Sequence, residues 1–277
     1  MTLSRRQFLA AAGTASAGVL LATPAVAGIP SRIEHHGLSV RHPDLHGLCL
    51  AHLTDLHLDS DLAYQRLPQA VRLVNSRRPD LVLLTGDYVS WGEDHIEPFT
   101  EIAAGFHCPV VAVLGNHDHY AGAERMTAAL SSRGVRVLSN TSHVVEIGGA
   151  HLRIVGIDDL RTQHADVAAA LAGLEARDDL RIVLTHVPTV ADLLPASTAD
   201  LILAGHTHGG QIAIQGLTEW IVRAVGSPYA RGFYSLPAGR LYVNRGWGTV
   251  GLPLRVGAPA EIAFFHCVHE SARPSPV

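Results

Sequence analysis

Leu201-Ile202-Leu203-Ala204-Gly205-His206-Thr207-His208-Gly209-Gly210 runs from four aliphatic residues straight into a turn that carries two histidines. A short apolar run without polar alternation reads as a strand buried on both faces, and here the metal-ligating side-chain types begin where the strand ends. The same junction recurs upstream. Residues 48–53 lead into Thr54-Asp55-Leu56-His57, residues 81–85 into Gly86-Asp87, residues 110–114 into Gly115-Asn116-His117-Asp118, and residues 181–185 into His186. Further strand-like runs lie at 152–157, 241–244 and 261–265, with helix-like segments at 65–77, 121–133 and 165–176 between several of them. That alternation predicts an α/β domain. In α/β sheets ligands bind in crevices beyond the carboxyl ends of the strands, so five strand ends aiming Asp, Asn and His at one edge predict a polar pocket there.

The donor types set what such a pocket can hold. In extended chain residues i and i+2 face one side, which would let Asp55 and His57, and likewise His206 and His208, converge on one centre. Imidazole nitrogen with carboxylate and amide oxygen suits Mn, Fe or Zn, and the lack of thiolates in the pattern argues against Cu(I) or an iron–sulfur cluster. One carboxylate has two oxygens and can bridge two cations. Two dications against Asp55 and Asp87 leave a surplus of about two positive charges, suited to an anionic phosphoryl group and an in-line displacement.

Composition removes competing classes. All 21 basic residues of the 277 are arginine, so there is no P-loop lysine, no Schiff-base lysine and no protein-kinase lysine. A formal charge of −4 gives no electrostatic footprint for nucleic-acid binding. The 18 histidines favour metal or acid–base chemistry. Gly246-Trp247-Gly248-Thr249-Val250-Gly251 satisfies G-x-G-x-x-G in letters, but Leu252-Pro253-Leu254 follows where a dinucleotide site needs a helix; it reads as a glycine-rich loop near the pocket.

The ordered series Asp55-x-His57, Gly86-Asp87, Gly115-Asn116-His117-Asp118, His186 and Gly205-His206-Thr207-His208 resembles the calcineurin-like metallophosphoesterase superfamily. Gly209-Gly210-Gln211 and the stretch from Asn244-Arg245-Gly246 through Pro253-Leu254-Arg255 to Glu261-Ile262 are similar to its exported bacterial phosphodiesterase branch, of the YkuE/YaeI kind. Trp247 and Ala260 depart from the branch pattern and bear on the shape of the outer pocket. The resemblance implies a four-layer α-β-β-α sandwich of two mixed sheets flanked by helices. It implies two divalent metal ions, the first held by Asp55, His57 and His208, the second by Asn116, His186 and His206, with Asp87 bridging both. His117 would stand beside the leaving oxygen as general acid, with Asp118 orienting its ring. The implied activity is that of a phosphodiesterase, in which a metal-activated hydroxide attacks phosphorus in line. The alternatives are a pyrophosphatase acting on a nucleotide-linked lipid such as UDP-diacylglucosamine, and a catalytically silent envelope metal-binding protein.

Around this centre, Arg245 is the candidate clamp for substrate phosphate, and Asp158 and Asp159 are expected to form a turn or support the ligands. Residues 217–225, with Trp220, Ile221, Val222 and Val225, read as a buried helix face or as an apolar, membrane-facing wall. Cys49, Cys108 and Cys267 make no even disulfide set; Cys49 and Cys108 sit in apolar, strand-like stretches and are expected to be buried free thiols. Ser4-Arg5-Arg6-Gln7-Phe8-Leu9, an uncharged Ala-rich run and Ala25-Val26-Ala27 form a secretory signal of the twin-arginine type over residues 1–27, implying passage through the twin-arginine translocase to a periplasmic or extracytoplasmic location. Left uncleaved, this segment would be a membrane anchor. Residues 28–277 are expected to form one domain, with a disordered tail at 271–277.

Overall fold

The aliphatic runs are apolar on both sides because each sheet is covered twice. In the strand Leu81–Thr85, Leu81 and Leu83 enter an apolar layer shared with a second sheet, while Val82 and Leu84 pack beneath helices. The strand Leu201–Ala204 repeats the arrangement, with Leu201 and Leu203 inward and Ile202 and Ala204 outward. The computed structural model describes residues 29–174, 178–213 and 227–272.

In chain order the strands are β1 (Ser31–Val40), β2 (Cys49–Leu53), β3 (Leu81–Thr85), β4 (Val110–Val113), β5 (Arg136–Val137), β6 (Thr141–Ile147), β7 (Ala150–Gly156), β8 (Leu180–Leu184), β9 (Leu201–Ala204), β10 (Gly232–Leu236), β11 (Gly239–Val243) and β12 (Ala260–His269). The helices are α1 (Asp61–Arg77), α2 (Ile96–Ala103), α3 (Asn116–Ser132) and α4 (Val167–Ala170). One sheet has the order β1-β12-β2-β3-β4-β5 and the other β10-β11-β9-β8-β7-β6. Both are mixed: β12 runs antiparallel to β2 in the first, and β10 and β6 run antiparallel to their neighbours in the second.

Between the sheets lies a layer that joins Leu50, Leu83, Val111 and Phe265 to Leu152, Ile182 and Leu203. Outside the first sheet, α1 contributes Leu67, Ala70 and Val74, α2 Phe99, and α3 Met126 and Leu130. Outside the second, α4 and the 3-10 segment Pro188–Leu193 bring Ala170, Val190 and Ala191 onto Val183 and Ile202. This is the expected α-β-β-α order. Strands β2, β3 and β4 are parallel, as are β8, β9 and β11, so each sheet gathers its carboxyl ends at one edge. The two edges are tied across: His186, just past β8, bonds through Nδ1 to the Thr85 carbonyl at 2.7 Å, and Asn244, just past β11, donates to the His52 carbonyl at 3.3 Å.

Several expectations change. Strands β1, β5, β6 and β10 are not among the expected apolar runs, and all four are the outer strands of their sheets. Helix α3 begins at Asn116, with Gly115 as its cap, so Asn116 and His117 sit at a helix start. The helix expected at 165–176 is a single turn, Val167–Ala170, with residues 175–177 outside the described part. The three cysteines are free; Cys267 is buried, whereas Cys49 and Cys108 are only half-buried, Cys108 lying in the turn before β4. Ser271 and Ala272 belong to a closing 3-10 turn, and residues 273–277, 217–225 and the N-terminal segment 1–27 lie outside the described residues.

Leu203→Ala removes a fully buried side chain from the layer between the sheets. It is expected to cost about 2–5 kcal/mol in urea unfolding, against about 0.5 kcal/mol or less for Ser235→Ala on the exposed side of β10.

Candidate active site

The junctions turn sharply where their strands end. Asp55, His57, Asp87, His206 and His208 have φ angles of 50°, 45°, 56°, 72° and 53°. This is left-handed backbone, which costs non-glycine residues about 1–3 kcal/mol each and persists only where surrounding structure enforces it. Here the turns hold one another. The Asp55 N–H donates to the Gly86 carbonyl, and those of Leu56 and His57 donate to the Asp87 carbonyl at 2.8 and 3.1 Å. The His206 N–H donates to the Asp55 carboxylate at 3.0 Å. Two glycines permit the crowding: a Cβ on Gly115 would stand 2.3 Å from Asp87 Oδ1, and one on Gly205 2.3 Å from Asp55 Oδ2.

The extended i, i+2 geometry is therefore not what brings the side chains together. Asp55 and His57 do meet, but His206 and His208 part. Asp55, His57 and His208 form one cluster and Asp87, His186 and His206 another, the ligand atoms within each lying inside 4.8 Å of one another. In the first, His57 Nε2 is 3.1 Å from His208 Nε2, and His208 Nε2 is 3.2 Å from Asp55 Oδ1. In the second, His186 Nε2 is 3.0 Å from Asp87 Oδ2 and 3.2 Å from His206 Nδ1. Asp87 Oδ2 also lies 3.7 Å from His57 Nε2, so one carboxylate faces both clusters.

These atoms fit cations. His186 donates its Nδ1 proton to Thr85, which leaves Nε2 as a lone pair facing a carboxylate oxygen; only a shared proton or a cation makes that contact favourable. The side-chain amide oxygen of Asn116, Oδ1, is buried without a hydrogen-bond partner beside the same loops. Protonation is contested by burial throughout. Burial lowers His57 to about 3 against the pull of Asp87, and lowers His206 to about 3 with His186 adding to the effect. Burial also opposes protonation of His186, but Asp87 and Asp55 outweigh it and raise the group to about 10. For Asp55 and Asp87, burial opposes ionisation and the facing imidazoles, His208 and His186 respectively, hold both below the usual carboxylate range. The two clusters are thus candidate sites for a pair of divalent ions, in nitrogen and oxygen donors suited to Mn, Fe or Zn.

Residues 50–210 match the family described as calcineurin-like phosphoesterase, over more than half of the chain. The chain belongs to the calcineurin-like phosphoesterases. It is a metal-dependent phosphoester hydrolase. It is 29% identical to the uncharacterized metallophosphoesterase YkuE of Bacillus subtilis strain 168, over 95% of this chain and 97% of that one. It is 30% identical to the phosphodiesterase YaeI of Escherichia coli K12, over 78% and 80% respectively. Among solved structures, TT1561 of Thermus thermophilus is similar at a TM-score of 0.48 and 13% identity, covering 72% of this chain and 90% of that one.

Two residues of this phosphoesterase, Asp118 and Arg245, make contacts other than those expected. Asp118 does not touch the His117 ring. Its Oδ2 accepts from the N–H groups of Asp87 and Gly115 at 2.8 and 2.9 Å, and its Oδ1 from Tyr88 at 2.8 Å, so it fixes the backbone that carries Asp87. The ring of His117 is set instead by the Ser90 carbonyl, 2.7 Å from Nδ1, while the Ser90 hydroxyl meets His57 Nδ1 at 2.9 Å. Ser90 has no distinguishing sequence pattern; only the fold shows one residue orienting two histidines. Arg245, the expected phosphate clamp, is turned away and paired with Glu261 and Glu34. Arg255, which the branch pattern includes without assigning it a role, is buried and donates to the carbonyls of Gly248, Arg245 and His208, tying the C-terminal loop to the second histidine turn.

Asp158 and Asp159 make turn and support contacts: Asp158 accepts from Ser139 and pairs with His119 at 2.7 Å, and Asp159 accepts the Thr162 N–H at 2.7 Å. The Gly246–Gly251 loop packs on the first junction, the Trp247 and Gly248 N–H groups donating to the Thr54 and Asp55 carbonyls. Trp247 itself is buried in the core under α1, with Nε1 3.3 Å from the Arg66 carbonyl, so it fills the core and not the pocket. Ala260, the other departure, is buried as the first residue of β12.

Asp118→Asn places an amide donor against backbone N–H groups that now share a carboxylate oxygen. It is expected to destabilise the fold by about 3 kcal/mol in urea unfolding and to weaken zinc or manganese binding in calorimetric titration, because Asp87 loses its support.

Proposed function

We propose that this phosphoesterase is an exported phosphodiesterase with a dinuclear centre. The observation that carries the reading is the position of Asp87: one buried carboxylate facing both three-residue clusters, beside an unpaired Asn116 oxygen. Asp55, His57 and His208 would hold one ion, Asn116, His186 and His206 the other, and Asp87 both. Bound there, two dications supply the charge that polarises a phosphoryl oxygen and lowers the pKa of a water nucleophile.

The protein's own groups do the rest. Ser90 fixes His117 through Nδ1, which leaves Nε2 as the nitrogen able to hold a proton for the departing oxygen. His57 stands edge-on at 5.1 Å from His117, so the proton donor borders the first cluster. The Thr85 carbonyl fixes the tautomer of His186, and the Ser90 hydroxyl steadies His57. A diester is favoured over other phosphoesters by the likeness to YaeI. Export rests on the twin-arginine pattern at Arg5-Arg6 and the Ala25-Val26-Ala27 cleavage pattern, which together point to the translocase as a partner and to a periplasmic or extracytoplasmic setting.

Two substitutions separate ligand from acid. Asp87→Asn is expected to lower bound metal, measured by inductively coupled plasma mass spectrometry, and to abolish hydrolysis of bis-p-nitrophenyl phosphate. His117→Ala is expected to keep its metal while kcat falls by about 10²–10⁴. Undiminished diester hydrolysis after exhaustive chelation would overturn the reading.

A further inference from the structure

Two large aromatic side chains stand in water next to His117. Trp91 is 62% exposed and Tyr120 56%. Their rings are parallel to within 7° with centroids 6.2 Å apart, an offset stack. His117 meets both edge-on, at 4.7 Å from Trp91 and 5.9 Å from Tyr120, with an interplanar angle of 76° in each case. The placement is fixed by the same parts that fix His117. Trp91 follows Ser90, whose carbonyl holds the imidazole, and Tyr120 lies three residues after His117 on α3, on the same helix face.

Resting on the diesterase reading above, we propose that Trp91 and Tyr120 form a stacking subsite for a planar, uncharged aromatic ring on the leaving-group side of the substrate. A leaving group that takes its proton from His117 must pass beside these rings. An aromatic pair held with most of its surface in water offers a ring-bearing group apolar contact and π stacking that a flexible alkyl group matches poorly. The neighbouring charge argues against a leaving group with a further phosphate. Glu93 and Asp94 follow Trp91 at the exposed rim, and Arg125 is occupied by Glu93 at 2.6 Å and Glu97 at 2.9 Å. A nucleoside or a simple aryl group meets both conditions.

The test compares the metal-loaded enzyme with its W91A, W91F and Y120A variants on three diesters: 2′,3′-cyclic AMP, bis-p-nitrophenyl phosphate and glycerophosphoethanolamine. Trp91→Ala is expected to raise KM for a ring-bearing diester about tenfold or more beyond its effect on the glycerol diester, with the loss in KM exceeding that in kcat and W91F recovering most of it. A selective loss on cyclic AMP alone identifies a nucleoside ring, and one on the nitrophenyl diester alone a simple aryl ring. Equal losses on all three substrates, or none on either ring-bearing one, overturn the subsite. A second readout needs no turnover: AMP should quench tryptophan emission in the wild type, and that component should vanish in W91F. If the wild type cleaves none of the three, the diesterase reading falls, and the quenching alone decides the subsite, its absence overturning it.

Discussion

The structure depends on confining negative charge and imidazole lone pairs in the seam where two sheets meet. Asp55 and Asp87 are buried, the ion pairs they make are with His57, His186 and His208, and Asp118 sits buried behind them. Burial and the neighbouring Asp87 charge push Asp118 up to about 7. Yet four backbone N–H groups converge on that carboxylate, a set that an anion satisfies and a protonated acid does not. A positive charge between the clusters resolves the conflict, since it relieves repulsion among the three carboxylates and meets the free imidazole nitrogens at once. The site is assembled around the demand for cations, and the left-handed turns at five of its residues are the strain accepted to meet it.

That demand explains the packing around it. Gly115 and Gly205 are glycines because Asp87 and Asp55 lie where a Cβ would be. Thr85 ends β3 with a carbonyl that serves His186 from the opposite sheet, so one bond both helps tie the sheets and fixes the tautomer of an imidazole. Arg255, Glu261 and Arg245 brace the loops from behind: Arg255 reaches the ring of His208 at 3.3 Å, and Arg245 is taken up by Glu261.

How much of this the sequence shows follows from how each strand is buried. Strands such as β3 and β9 have neighbours on both sides and layers above and below, so their residues are uniformly aliphatic and the runs can be read directly. Outer strands escape that reading. Ser31–Val40 contains Glu34, His35 and His36, and Thr141–Ile147 is exposed or half-buried throughout. The site divides the same way. Residues whose type is demanded by chemistry, the carboxylates and imidazoles at the strand ends, stand out as a pattern. Residues that act through the backbone or by position do not: Ser90 orients two histidines with a carbonyl and a hydroxyl, and the duty of Asp118 toward four loop residues is invisible beside an adjacent histidine that looks like its natural partner.

The histidine excess has two physical origins. Five of the 18 histidines, at 57, 117, 186, 206 and 208, lie at the site. Others take the part of aromatic rings in a chain that is only 5% Phe, Trp and Tyr. His35 stacks on Phe264 and on His266 across the β1–β12 ladder, and His36 packs against Phe233, Tyr242 and Phe265. Burial lowers both His35 and His36 to about 4, so at neutral pH they are uncharged rings that fill space, His35 Nδ1 meeting His266 and His36 Nε2 meeting the Tyr242 hydroxyl. A count of histidines cannot separate these uses, because the same ring serves as ligand where its lone pair faces a carboxylate and as packing where its face meets phenylalanine. What separates them is the end of the strand: His35 and His36 lie within β1 with their rings against aromatic neighbours, whereas the five site histidines lie beyond strand ends, His57, His206 and His208 of them in left-handed turns.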